Sequence, residues 1–281
     1  MKTRRQELLL TLPSLAWLIC FFAVPSVLIL ALAFRPADIR GGVGEGWTVE
    51  TIKALGNPVY LPIMWRTLWL SAVTTVACLT FALPMSWCMS RMSSQWRQFT
   101  LLLVVLPFLT NFLIRVFAWK SLLHPEGLLK QALVWLRLAT DDTMLLNNSG
   151  AVLLVLIYTQ LPFAILPLYA AAEKFDFTLL DAARDLGANG WRAFWKVFVP
   201  GIRQGIMAAG IIVLVGSLGQ YVIPQIVGGT GDEMIGNKIA QRAFGDRNLP
   251  LASALSGALL LVVLIPTLRI AWRSRKEGLA P

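Results

Sequence analysis

The sequence predicts an all-α integral membrane protein with six transmembrane helices, and three observations predict it. Of 281 residues, 57% are hydrophobic and only 14% charged, with a mean hydropathy of +0.66. Soluble domains carry about 25% charged residues, and a chain of this length could not bury so much apolar surface in water. Second, six stretches, at about residues 8–34, 62–90, 99–123, 150–172, 202–227 and 250–272, are long enough to cross a hydrocarbon core of ~30 Å, which takes about 20 helical residues. Third, lysine and arginine are distributed unequally between the two sets of connections, as expected of a multi-pass membrane chain.

All six stretches are expected as helices, because lipid offers no partner to an unpaired backbone group. Pro25, Pro84, Pro107, Pro162, Pro167 and Pro224 fall inside them and mark expected kinks. The first stretch follows Lys2, Arg4 and Arg5 and contains Ala31-Leu32-Ala33, in the manner of a secretory signal. Its apolar run exceeds the ~7–15 residues of a cleaved signal, so it is expected to stay as a signal anchor. Cys20, Cys78 and Cys88 lie within apolar stretches without metal-ligand spacing, as small buried hydrophobes do. His124 has no ligand or triad partner in pattern, and Asp141-Asp142 has no second acidic or histidine cluster, so no metal site and no catalytic residue are expected.

With the N-terminus on one side, that side collects fourteen lysines and arginines against nine on the other, where nine acids match them. The richer side is therefore expected to be cytoplasmic, with both termini inside. The net charge of +10 is then mostly a one-sided membrane charge, and nucleic acid is not needed to explain it. No internal repeat or low-complexity tract stands out.

The connection at 173–201 falls on the cytoplasmic side and is rich in charge and aromatics. Residues 176–186 have the pattern of an amphipathic helix with Leu179, Ala183 and Leu186 on one face. Gly187 follows where a left-handed cap is expected. Asn189 is placed to cap a second short helix with Trp191, Phe194, Trp195 and Phe198 on its apolar face, ended by Pro200. An interfacial helix seated in lipid headgroups would account for the second half. The first half, with the small pair Ala182-Ala183 before a turn, suits close approach by another protein.

Asp181-Ala182-Ala183, three residues, Gly187, nine residues, Val197, one residue, Val199-Pro200 resembles the EAA loop of binding-protein-dependent ABC importers, whose pattern is Glu-Ala-Ala, x3, Gly, x9, Ile, x, Leu-Pro. Every spacing matches, with Asp for Glu, Val for Ile and Val for Leu. Pro107 to Asn111 with Leu113-Ile114-Arg115, Leu161-Pro162-Phe163, Pro167-Leu168-Tyr169 and Val222-Ile223-Pro224 are similar to the spermidine/putrescine permease subfamily. The resemblance covers about residues 64–266. It implies the type I importer permease fold and a division into a first helix with its outer loop (1–61), a transmembrane permease domain (62–272) and a cytoplasmic tail (273–281). It also implies residence in the bacterial inner membrane, a second permease subunit as heterodimer partner, two ATPase subunits and a periplasmic binding protein. Asp181, Ala182, Ala183, Gly187, Val197 and Pro200 would form the contact with the ATPase. The chain lacks G-x-x-x-x-G-K-[ST], so ATP and magnesium would belong to that partner, and no cofactor is expected on this chain.

An ionisable residue inside a span costs at least about 2.5–3.5 kcal/mol and is a functional hypothesis by default. Arg66 can snorkel to the outer interface. Arg115 either bonds carbonyls freed near Pro107, pairs across a subunit interface, or meets substrate. The spans hold no Asp or Glu, although a polyamine wants carboxylates or aromatic faces. The subfamily often carries acids near the positions of Gln220 and Gln225, which are amides here. Either another subunit or the receptor supplies the negative charge, or the cargo is a different small solute. Gln160, Gln220, Tyr221 and Gln225 are candidates to line the substrate pathway or to glue helices together. The contrasting function is a secondary transporter or channel, which would show intramembrane carboxylates or inverted repeats. A membrane enzyme is a third.

Overall fold

The computed structural model describes residues 11–38, 41–140 and 142–276. Lys2, Arg4, Arg5, Arg40, Asp141 and the expected start of the first span at Leu8 lie outside them. In chain order the main helices are α1 (Thr11–Leu32), α2 (Tyr60–Arg91), α3 (Ser94–Val105), α4 (Phe112–Leu123), α5 (Leu128–Trp135) and α6 (Ser149–Glu173). They continue with α7 (Thr178–Asp185), α8 (Gly190–Gly201), α9 (Arg203–Leu218), α10 (Val222–Val227), α11 (Ile235–Ala240) and α12 (Leu249–Lys276). Among the described residues the only β pairing is an isolated bridge between Ala37 and Val43. The all-α membrane fold expected from the sequence is thus observed.

The spans are less uniform than expected. Three helices, α1, α2 and α6, are continuous and long enough to cross a membrane. The stretch expected as one helix at 99–123 is broken, with Ser94–Leu109 and Phe112–Trp135 meeting at 92°. Pro107 opens a tight 3₁₀ turn at Leu106–Leu109, and Asn111 restarts the chain by accepting a hydrogen bond from Leu113 N–H at 2.8 Å. An asparagine cap satisfies a free N–H only where a new helix begins. The stretch 202–227 is also broken. Helix α9 stops at Gly219, Gln220 and Tyr221 cross the gap, and α10 adds six residues. At its other end α9 meets α8 at 71°. The sixth stretch lies in α12, apolar over Leu249–Ile265. Counting each bent pair as one span gives five candidates besides that segment.

The chain divides into two compact units, 1–62 with 237–281 and 63–236. In the first, α1 carries a π-helical turn at Ile19–Ala23 just before Pro25. None of its apolar span is buried within the protein, so lipid or another subunit must solvate it. Gly257 on α12 faces Leu30 of α1. The Gly42 N–H donates to the Arg247 carbonyl at 2.7 Å, and Thr51 Oγ1 donates to the Arg35 carbonyl at 2.9 Å. Arg242 is bonded to Tyr60 and pairs with Asp246 at 2.5 Å.

The second unit is organised on α6, twelve of whose 25 residues are buried. Helix α9 lies along it through Gly205, Ala209, Val213 and Ser217, all buried and spaced four apart. Such a row of small residues lets two membrane helices approach closely. A Cβ at Gly205 would collide with Ala171, and one at Gly216 would meet the Gln160 amide at 3.1 Å. One apolar core joins Cys78, Met89, Leu168, Leu180, Phe198 and Ile202. The other, at the opposite end of α6, joins Leu70, Val116, Val152, Val155, Ile223 and Met234. At that second end Asp232 accepts from the Gly229 N–H at 2.9 Å and from the Ser149 hydroxyl at the start of α6.

Candidate functional site

The segment 173–201 folds as a helix–turn–helix at one end of the second unit. Asp176 sets its start, because Oδ1 accepts from the Thr178 N–H at 3.0 Å and its hydroxyl at 2.8 Å. Those bonds hold the Asp176 carboxyl below its ordinary pKa, the hydroxyl bond contributing most. Helix α7 follows, and Leu180 at 0% exposure drives it onto the core, with Ala183 half-buried beside it. Gly187 takes φ +85°, the left-handed conformation expected of a helix-ending glycine. Asn189 Oδ1 accepts from the Arg192 N–H at 2.8 Å and caps α8 as expected.

The apolar face expected on α7, Leu179 with Ala183 and Leu186, is not the one that meets the core. Leu179 is 51% and Leu186 90% exposed, while the adjacent Leu180 takes the core position. Two consecutive leucines leave the register open in the sequence; the aromatic bed beneath α7 decides it. That bed is Trp87 with Phe177, Phe194 and Phe198, ring centroids 6.0, 5.1 and 4.5 Å from the indole. Phe175 packs on Phe198 at 5.2 Å and occupies the space a Cβ on Gly201 would need. On α8, Ala193 and Phe198 are buried, whereas Trp191 is 71% exposed. Pro200 does not terminate the helix as expected, since Val199–Gly201 continues it and the bend follows at Ile202. A proline at the first turn of a helical segment gives up an N–H that has no partner there.

Of the six residues singled out for partner contact, Asp181, Ala182, Gly187 and Pro200 are exposed, Ala183 and Val197 half-buried against the core. Asp181 pairs with Arg184 at 3.4 Å in solvent, an arrangement that contributes little to stability. Nothing lies within 4 Å of a Cβ built on Gly187. The result is a short helix held from below by one leucine and open above.

The pathway candidates are less concentrated. Gln160 is 4% exposed on α6 and lies over the backbone of Gly216 on α9. Gln220 and Tyr221 sit in the break after α9, and the Tyr221 carbonyl accepts from the Gln225 N–H at 3.1 Å. Gly236 packs against the Gln220 carbonyl so closely that a Cβ there would come within 2.7 Å. Arg115 lies on α4 just past the 92° bend, its guanidinium 5.7 Å from the Phe108 ring and 6.0 Å from Phe112. Its buried Nε has no hydrogen-bond partner, so the ring faces rather than freed carbonyls meet this cation. Among the described residues no group of three or more His, Cys, Asp or Glu could hold a metal ion.

A model of the family described as "binding-protein-dependent transport system inner membrane component" matches residues 95–272, a range that includes the whole helix–turn–helix. The chain belongs to this family. The spermidine/putrescine transport system permease protein PotB of Haemophilus influenzae is 38% identical over 251 residues, 89% of this chain and 88% of that protein. Its namesake from Escherichia coli is 31% identical over 260 residues, covering 92% and 94%. A crystal structure of a bacterial ABC transporter involved in import of the acidic polysaccharide alginate superposes with a TM-score of 0.73 at 19% identity, covering 98% and 97% of the two chains. That likeness shows the fold. The chain is therefore the membrane permease component of an ABC importer that works with a binding protein, and is not an enzyme. ATP hydrolysis lies in a separate subunit.

Proposed function

We propose that this permease conducts a polyamine or a related small organic amine from a periplasmic binding protein into the cytoplasm, driven through α7 by two ATPase subunits. The observation that carries the coupling role is the helix itself: Asp181 and Ala182 are exposed, and Leu186 and the left-handed Gly187 stand open above a fully buried Leu180. An apolar residue left 90% exposed on a solvent-facing helix suits burial under another protein. The charge asymmetry of the loops supports placing this segment, and both termini, on the cytoplasmic side. A second, different permease subunit completes the pathway, within which residues 62–272 form the transmembrane domain. The polyamine assignment is supported by the two PotB relatives.

Alternating access accounts for how such a helix could act. ATP-driven closure of the partner subunits moves α7, and α6 and α9, which leave the two ends of the segment, carry the motion into the membrane. Arg115, Gln160, Gln220, Tyr221 and Gln225 are the side chains proposed to line or shape the pathway. With no carboxylate in the spans, the second permease subunit supplies the negative charge that a polyamine requires.

Two substitutions test the coupling role in the assembled transporter. Asp181→Lys and Gly187→Trp are expected to abolish uptake and weaken ATPase co-purification while the chain still inserts. Unchanged uptake in both would overturn the assignment. Uptake of labelled spermidine and putrescine by the assembled importer, with alginate oligosaccharide as comparison, tests the cargo.

A further inference from the structure

A cavity of about 640 Å³ opens beside the helix–turn–helix, between the last three turns of α2 and the start of α8. Its two ends differ in chemistry. Along α2 the lining runs from Thr80, Leu83 and Pro84 to Arg91, and Arg184 of α7 also lines the cavity. Arg91 stands eleven positions on from Thr80, about 16 Å along α2. Two guanidinium groups and no carboxylate line the cavity. Asp181 touches Arg184 from outside at 3.4 Å, with its side chain 71% exposed, which leaves the arginine largely uncompensated. Arg91 is held in place, its guanidinium 4.3 Å over the Trp87 ring and 5.1 Å over Phe177. Trp191 and Trp195 flank this end, 71% and 45% exposed, and tryptophans of this kind concentrate where a bilayer meets water.

We propose that this cavity is a binding site for one anionic phospholipid, with the phosphate between Arg91 and Arg184 and an acyl chain lying along Thr80, Leu83 and Pro84. The inference rests on the reading of the helix–turn–helix as a membrane-surface element. A free phosphate would use only the charged end; the apolar slot continuing down a transmembrane helix fits a lipid. Planar guanidinium groups match phosphate geometry, and the rings under Arg91 keep it oriented before the ligand arrives. The site adjoins α7 through Arg184, so a bound lipid would brace the segment that meets the ATPase.

The test is retention of phosphatidylglycerol by the purified, assembled transporter, counted by native mass spectrometry after exchange into zwitterionic nanodiscs containing a minor fraction of that lipid. The wild-type chain should retain one phosphatidylglycerol in preference to phosphatidylcholine. Arg91→Gln and Arg184→Gln should each lower its affinity about fivefold and the pair about 30-fold, following the usual attraction of one basic residue for an anionic surface. Thr80→Trp fills the apolar end without touching charge and should also expel the lipid, which separates a lost site from a lost fold. Equal retention of both lipids, wild-type retention in the double variant and in Thr80→Trp, or full displacement by inorganic phosphate would each overturn the proposal. So would a photo-crosslinker at Trp191 that captures another subunit in place of lipid. Retention is read without ATP or cargo, so its outcome is independent of the coupling experiment.

Discussion

Leu186→Ala separates a helix that merely covers the core from one built to be covered by a partner. Leu186 is 90% exposed at the end of α7, six residues on from the core-anchoring Leu180. Its truncation removes nothing from the interior, so the melting temperature of the solubilised chain should stay within a degree or two, as for surface substitutions in general. If the ATPase buries this side chain, truncation to alanine forfeits about 2 kcal/mol of apolar contact, about a 30-fold loss of docking affinity. Leu180→Ala is the counterpart. Leu180 is fully buried in the aromatic core, and emptying such a site costs about 2–5 kcal/mol of stability. That variant should melt markedly lower and lose docking only because α7 detaches. The assay pairs thermal melting with titration of the ATPase subunit against the reconstituted permease. A Leu186→Ala protein that docks within twofold of wild type would refute the idea that this face of α7 is an interface.

Other outcomes follow from single contacts. Gly187→Asn should retain more ATP-dependent uptake than Gly187→Ala, because asparagine tolerates the left-handed conformation that φ +85° imposes and alanine pays about 1–2 kcal/mol there; equal uptake would show that backbone conformation at this turn is immaterial. Gly201→Ala should lower the melting temperature and the yield of folded protein, since Phe175 fills the space of the new methyl group, and Phe175→Leu in the same chain should recover part of the loss. Asp232→Ala and Ser149→Ala should be strongly non-additive in melting experiments, because each removes the same hydrogen bond at the start of α6. Asp176 contributes through a lowered pKa, so its stabilisation is present above the ordinary aspartate pKa of about 3.9 and fades as pH falls through the folded value. Protection factors at the first amides of α7, taken relative to the intrinsic exchange rate at each pH, should therefore fall in acid in the wild type, and Asp176→Asn should flatten that dependence.

Much of this was legible in the residues. Apolar length alone located the membrane segments, and the Gly187 and Asn189 positions in the turn could be named because left-handed backbone and a free helical N–H each favour one residue type. The spacing from Asp181 to Pro200 carried the family resemblance. What escaped was geometry that composition does not encode. The break at 106–111 carries a local signal, Pro107 followed four residues later by Asn111, but a proline in a membrane helix usually signifies only a kink. The break after Gly219 has a weaker one, because what holds it is the backbone of Gly236, distant in sequence. The leucine of α7 that meets the core was not legible, since only the ring bed of Trp87 and Phe198 distinguishes Leu180 from Leu179.

The row of small residues along α9 has a mechanical consequence. Where Gly205 abuts the Ala171 methyl and Gly216 lies under the Gln160 amide, each contact seats a side chain of α6 directly on bare α9 backbone, so the two helices resist sliding as a doubled beam resists shear. Residues 174–202 bridge adjacent ends of that beam. A displacement applied at the bridge is then spent on turning the whole pair, and a few ångströms at one end of α6 become a comparable swing at the far end, where Asp232 clasps Ser149.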